Sequence, residues 1–194
     1  MTPAPDPLPP VSPLLTDTQI ALWFGQQQVP GSPVYQCAER VDIRGDLDAG
    51  TFGDVLNRCL AAVPALNADY STVPGGPRRQ PVTRDHPVRL LDVSPATDPA
   101  KQCDHEIAEF MAAGDAASDL ITGDRLSAQL LIRLSDGHHV WVQRIHHLCV
   151  DGYSFAALLR WVAASYTAAI AGDPLPDAPF VAPAVLDSAD PAAV

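Results

Sequence analysis

Basic residues are scarce in this chain: 12 Lys and Arg stand against 23 Asp and Glu, a formal charge of −11. Phosphate backbones are held by basic faces, so this balance argues against a nucleic-acid binder. Arg78-Arg79 is a pair, not a cluster. No apolar run approaches the ~20 residues that a membrane span requires. The opening, Met1 to Pro10, has neither a basic region nor an apolar core, so it does not read as a secretory signal. Cysteine is also sparse. Cys37, Cys59, Cys103 and Cys149 have no paired spacing, which predicts reduced, mostly buried thiols and a cytoplasmic location. Without a Cys-x-x-Cys or a helical His-Glu-x-x-His, no metal site is expected.

What the chain does have is a patterned alternation of helices and strands. Residues 1–13 are rich in proline and predict an extended or disordered start. Thr16-Asp17-Thr18-Gln19 reads as a helix start, with a capping oxygen and an acid in the first turn. Ile20, Trp23, Phe24 and Gln27 follow at helical spacing, and Pro30-Gly31-Ser32-Pro33 ends the element. Val34 to Ile43 alternates as a strand, with Glu39 the exception. Asp46-Leu47-Asp48 opens a second helix whose stripe is Phe52, Val55, Leu56, Cys59, Leu60 and Val63; Pro64 closes it.

Short strands are expected near 66–73, 79–82 and 88–93, with the turn Pro74-Gly75-Gly76-Pro77 between the first two. A helix follows over 99–113, burying Ile107, Phe110 and Met111. Leu126–Leu134 and Val140–Ile145 form the clearest hairpin, turned by Asp136-Gly137. His138-His139 therefore begins a strand. A last helix, from about Ser154 to Ala171, should bury Phe155, Leu158, Leu159, Trp161, Val162 and Tyr166, and ends at Gly172-Asp173-Pro174. The stretch 175–194 reads as a Pro- and Ala-rich linker. Interleaved elements without an internal repeat make an α/β chain, an α+β sandwich, over residues 14–174.

The candidate site is Arg144-Ile145-His146-His147-Leu148-Cys149-Val150-Asp151-Gly152-Tyr153-Ser154. Two imidazoles close an apolar strand, and Asp-Gly precedes a helix. Imidazole moves protons near neutral pH, and Gly admits close approach. The same residues would also fit a strand end with one ring buried and one solvated, followed by an ordinary turn. Cys149, between Leu148 and Val150, has the apolar setting of an inert thiol and not of a nucleophile.

His-His-x-x-x-Asp-Gly resembles the signature of nonribosomal peptide synthetase condensation domains and, more widely, of chloramphenicol-acetyltransferase-like acyltransferases. Leu15 to Phe24 resembles the family's first core motif, a helix opened by a Gln and a Trp. Asp119-Leu120, followed by Arg125-Leu126, is similar to its Asp-Leu segment before the central hairpin. Trp141 to His147 leads into the signature much as in a domain opening a siderophore assembly line. The second motif, Arg-His-Glu-x-Leu-Arg-Thr-x-Phe, is degenerate. Its counterpart is Ala62 to Tyr70, where only Leu66 and an aromatic remain and the arginines are Ala62 and Asn67.

The resemblance implies one half of a two-lobed domain: an N-terminal lobe whose C-terminal partner lies beyond this chain, with an adenylation domain adjacent. It implies amide-bond formation between donor and acceptor thioesters carried on the phosphopantetheine of two carrier proteins, with no cofactor bound directly. His147 would take the amine proton and His146 would be structural. Asp151 would fix the loop, with Arg144, Arg58 or a group outside the chain as its cation. Gly152 would keep space open and offer an oxyanion donor. Two alternatives remain at this point: a non-catalytic docking module for a carrier protein or neighbouring domain, and a related acyltransferase or epimerisation domain. The lone lobe is expected to be inactive.

Overall fold

The computed structural model describes residues 15–73, 76–115 and 126–180. The proline-rich start (1–13), Pro74-Gly75, Asp119-Leu120, Arg125 and the tail beyond Phe180 lie outside them. Along the chain run α1 (Asp17–Gln28), a 3₁₀ turn (Pro33–Tyr35), β1 (Gln36–Arg44), α2 (Ala49–Ala61), β2 (Ala68–Val73) and β3 (Gly76–Pro81). Then come β4 (Val88–Asp92), α3 (Pro99–Asp115), β5 (Ser127–Ser135), β6 (His138–His146) and α4 (Gly152–Ala171).

A four-stranded sheet in the order β1-β6-β5-β4 is the backbone of the lobe, and β2-β3 forms a separate ribbon. β4 lies parallel to β5 and the other pairs are antiparallel. The central strands β5 and β6 are apolar on both faces because helices cover both. Leu130, Ile132, Val140 and Val142 meet Cys103 and Phe110 of α3. Leu131, Trp141 and Ile145 point the other way, toward α2 and α4. Phe52 of α2 ties this second layer together, with its ring 5.5 Å from Trp141 and 5.8 Å from Tyr166. Tyr166 also accepts the amide of Asp48 at 2.8 Å, joining α4 to the α2 cap.

Local rules account for several helix ends. Thr16 and Gln19 form a reciprocal capping box on α1. Asp48 caps α2, and Gly172 ends α4 in the left-handed conformation that glycine adopts without steric penalty. Other expectations need correction. Pro33 starts a 3₁₀ turn, so β1 begins at Gln36, not Val34. Glu39 breaks the alternation because its carboxylate accepts a 2.8 Å hydrogen bond from Gln143 on the neighbouring strand. On α4 the buried residues are Leu158, Val162 and Ser165, while Phe155, Leu159, Trp161 and Tyr166 are only partly covered.

By length and composition α4 reaches what a bilayer span needs, which corrects the expectation that no stretch does. Its Leu158 and Val162 are packed in the same core as α2, however, and that makes it a helix of this lobe.

Candidate active site

β6 ends at His146, and α4 starts at Gly152 under the cap of Asp151. The turn between them is held from several sides. Gln19, at the start of α1, donates its side-chain amide to the Leu148 carbonyl at 3.0 Å. The Cys149 amide donates to the His146 carbonyl at 2.9 Å, and the His147 amide to Tyr35 at 2.7 Å.

The two histidines end up in opposite situations. His146 is fully buried. Its Nδ1 accepts the Leu148 amide at 3.0 Å, so the ring proton sits on Nε2 and is donated to Gln26 Oε1 at 3.2 Å. The Gln26 amide nitrogen donates to the carbonyls of Val29 (3.0 Å) and Ser32 (3.2 Å), which fixes its oxygen toward the ring. Burial, aided by the neighbouring His147, pushes the His146 pKa down to about 4. This imidazole is neutral and fully occupied.

His147 is exposed. Its Nδ1 lies 2.7 Å from the Val150 carbonyl. A carbonyl only accepts, so Nδ1 carries the proton and Nε2 of the neutral ring keeps its lone pair. Nε2 has no partner among the described residues. The ring borders a cleft of about 320 Å³, walled by Thr18, Gln19 and Leu22 of α1 and by the turn itself. A poised acceptor beside an open cleft is the arrangement that proton transfer requires.

Asp151 is not paired with a cation among the described residues. Its Oδ1 accepts the backbone amide and the hydroxyl of Ser154, both at 2.7 Å, and these bonds lower its pKa. The start of α4 supplies donors and a favourable dipole, so no guanidinium is needed. Arg144 points to the other face of the sheet. It donates to the carbonyls of Phe110 (2.9 Å) and Met111 (3.2 Å), with its guanidinium carbon 5.1 Å from the Phe110 ring centroid. Arg58 is exposed in the last turn of α2. A Cβ on Gly152 would meet no atom within 4 Å, so this glycine contributes open space and not a special backbone. Cys149 donates to Ala65 at 3.3 Å, and burial holds its thiol up at about 12. All four cysteines are free thiols.

The degenerate second motif is filled by a neutral network that the sequence did not announce. The Asn67 amide donates to Leu60 (2.8 Å) and Val63 (2.9 Å), and its oxygen lies 3.2 Å from His86 Nε2. His86 Nδ1 in turn lies 3.2 Å from the Ser127 hydroxyl, beside a cavity of about 630 Å³. Burial first, then nearby Arg84, lowers the His86 pKa. Gln26 was missed as well: its place two turns after the capping Gln19, on one helix face, was the available signal.

A family profile for the condensation domain matches residues 12–185. The chain belongs to the condensation-domain family. It is 32% identical over 169 residues to an isonitrile lipopeptide synthase of Streptomyces coeruleorubidus, covering 87% of this chain and 11% of that protein. It is 31% identical over 160 residues to a dimodular nonribosomal peptide synthase of Bacillus subtilis, covering 81% and 6%. Enterobactin synthase component F of Shigella flexneri is 28% identical over 171 residues, covering 86% and 13%. The first condensation domain of the calcium-dependent antibiotic synthetase, solved with a substrate analogue, superposes with a TM-score of 0.76 at 28% identity. That match covers 88% of this chain and 40% of that one, so the fold corresponds to one lobe of a condensation domain. The starter condensation domain of rhizomide synthetase gives the same TM-score at 25% identity, covering 87% and 40%. The chain thus spans about a tenth of the curated relatives it matches.

Proposed function

We propose that this lobe carries the proton-transfer half of an amide-forming condensation site in nonribosomal peptide synthesis. The observation that carries the reading is the 2.7 Å contact of His147 Nδ1 with the Val150 carbonyl, which makes Nε2 the acceptor of the neutral ring, on a residue that borders the cleft.

The donor is an acyl or peptidyl thioester and the acceptor is the amine of an aminoacyl thioester. Each is held on the phosphopantetheine arm of a carrier protein, and a second lobe closes the cleft. The amine nitrogen attacks the thioester carbonyl, and its proton passes to His147 Nε2. Collapse of the tetrahedral intermediate breaks the C–S bond, and the proton leaves with the thiol. A thioester is already activated, so alignment of the two arms supplies several kcal/mol of the barrier. Gly152 leaves room beside the ring, and its N–H, at the positive end of α4, is the oxyanion donor.

His146 and Asp151 are structural. The first locks the turn to Gln26, and the second starts α4 in the right place. Arg144 braces the end of β6 against α3. The four free thiols support a reducing, cytoplasmic setting.

The absence of the motif arginines, at Ala62 and Asn67, favours a second reading in which the lobe only docks a carrier protein or a neighbouring domain. The test is a complete condensation domain containing this lobe, supplied with loaded donor and acceptor carriers and read by mass spectrometry. Amide product supports catalysis. Carrier binding without product supports docking alone.

A further inference from the structure

We propose that Tyr70 and Cys149 form an anchor on the Ala65 carbonyl that orients His147, resting on the reading of His147 as proton acceptor. The Tyr70 hydroxyl donates to Ala65 O at 2.8 Å, and the Cys149 thiol reaches the same oxygen at 3.3 Å. The two side chains also face each other, with 3.8 Å between the Tyr70 oxygen and Cys149 Sγ. A carbonyl oxygen has two lone pairs and accepts both donors. Tyr70 is 1% exposed and Cys149 8%, so neither donor has bulk water as an alternative partner.

The anchor acts one residue away from the group that fixes the base. Cys149 immediately precedes Val150, whose carbonyl holds His147 Nδ1 at 2.7 Å. Gln19 restrains Leu148, on the other side of Cys149. Ala65 lies in the link between α2 and β2, within the stretch where the arginine-bearing motif has been lost. Where the motif that this stretch resembles ends in Phe, this chain has Tyr70, which carries the hydroxyl. Arg79 lies opposite Tyr70 in the β2-β3 ribbon and is itself 5% exposed. Burial keeps the Cys149 thiol protonated, with its pKa up at about 12, and raises that of Tyr70 too, so both remain donors at neutral pH. The link between α2 and β2 is thereby tied to the signature turn through the Ala65 carbonyl.

The ring tautomer of His147 reads this directly, in the intact chain and without turnover. Long-range ¹H–¹⁵N spectra of ¹⁵N-histidine-labelled protein separate the Nδ1–H and Nε2–H forms. The wild type should show Nδ1–H at His147 and Nε2–H at His146. Cys149→Val combined with Tyr70→Phe should raise the Nε2–H share of His147 about fivefold, roughly what one net hydrogen bond is worth. Cys149→Ser with Tyr70 intact should restore the wild-type ratio. A double variant that keeps its His146 signals and a wild-type His147 tautomer would overturn the proposal. If the double variant does not fold, Tyr70→Phe alone decides, because the ring stays in the core and only the hydroxyl is lost. A tautomer shift alongside a catalytically silent His147 in the complete domain would leave the anchor standing and sink the proposed function instead.

Discussion

The imidazole of His147 donates Nδ1–H to the carbonyl of Val150, 2.7 Å away in the same turn. That bond spans three residues, so the turn which presents the ring also sets its proton. The neighbouring His146 has the opposite tautomer because its Nδ1 is occupied by the Leu148 amide. Adjacent residues of one type are thus separated into an open acceptor and a closed structural group by backbone hydrogen bonds at Nδ1 and, for His146, by Gln26 at Nε2.

The Asp151 cap gives a first prediction. Replacing Asp151 with Ala removes the acceptor for Ser154 and should destabilise the chain by about 1 kcal/mol, the usual loss for an N-cap. Asp151→Asn keeps an oxygen and should lose less. Thermal melts of both variants check the order. A melting temperature unchanged in Asn, with activity of the complete domain abolished, would give Asp151 a chemical role instead.

Stability should fall with acid because of His146. Its folded pKa, about 4, lies below the ordinary value of 6.5. Between those values the unfolded chain binds the proton and the folded chain does not. The neutral-ring contribution is therefore complete above pH 6.5 and lost as pH falls toward 4. The shift corresponds to about 3 kcal/mol. His86, also lowered, adds to the loss in the same direction. Urea unfolding across pH 4–7 measures this, and His146→Gln should flatten the profile. An unaltered slope in that variant would assign the acid sensitivity elsewhere.

Gly152 separates space from backbone. Its added Cβ meets nothing, and its φ is not left-handed, so Gly152→Ala should leave the melting temperature unchanged or raise it slightly. In the complete domain the same methyl group should raise KM or lower kcat. Full activity in Gly152→Ala would show that the open space at Gly152 is not used.

Tyr153 is 79% exposed at the start of α4, and Val34 (62%) and Phe24 (51%) are exposed near α1. If a second lobe covers such side chains in the complete domain, this chain alone should self-associate weakly. Sedimentation over a concentration series checks it. A strictly monomeric chain that binds no apolar dye would contradict the one-lobe reading.

Much of this was legible from local chemistry. Thr16 and Asp48 announced helix starts, and the apolar runs 126–134 and 140–145 on either side of Asp136-Gly137 marked the hairpin. What stayed hidden depends on long-range packing. Arg144 looked like a partner for Asp151 because the two are near in sequence, yet alternation along β6 sends it to α3. The 3₁₀ turn at Pro33 is a local choice between extended and turned backbone that alternation does not register. The link from Asn67 through His86 to Ser127 joins residues 19 and 41 positions apart, which no spacing rule connects.

The most direct test of the account is turnover in a complete condensation domain bearing His147→Ala. Removing a positioned general base should lower amide formation by about 10²–10⁴-fold, with folding unchanged because the ring is exposed. His146→Ala should act mainly through stability, since it leaves Gln26 Oε1 and the Leu148 N–H without their partner. Near-normal amide formation in a folded His147→Ala domain would contradict the central claim.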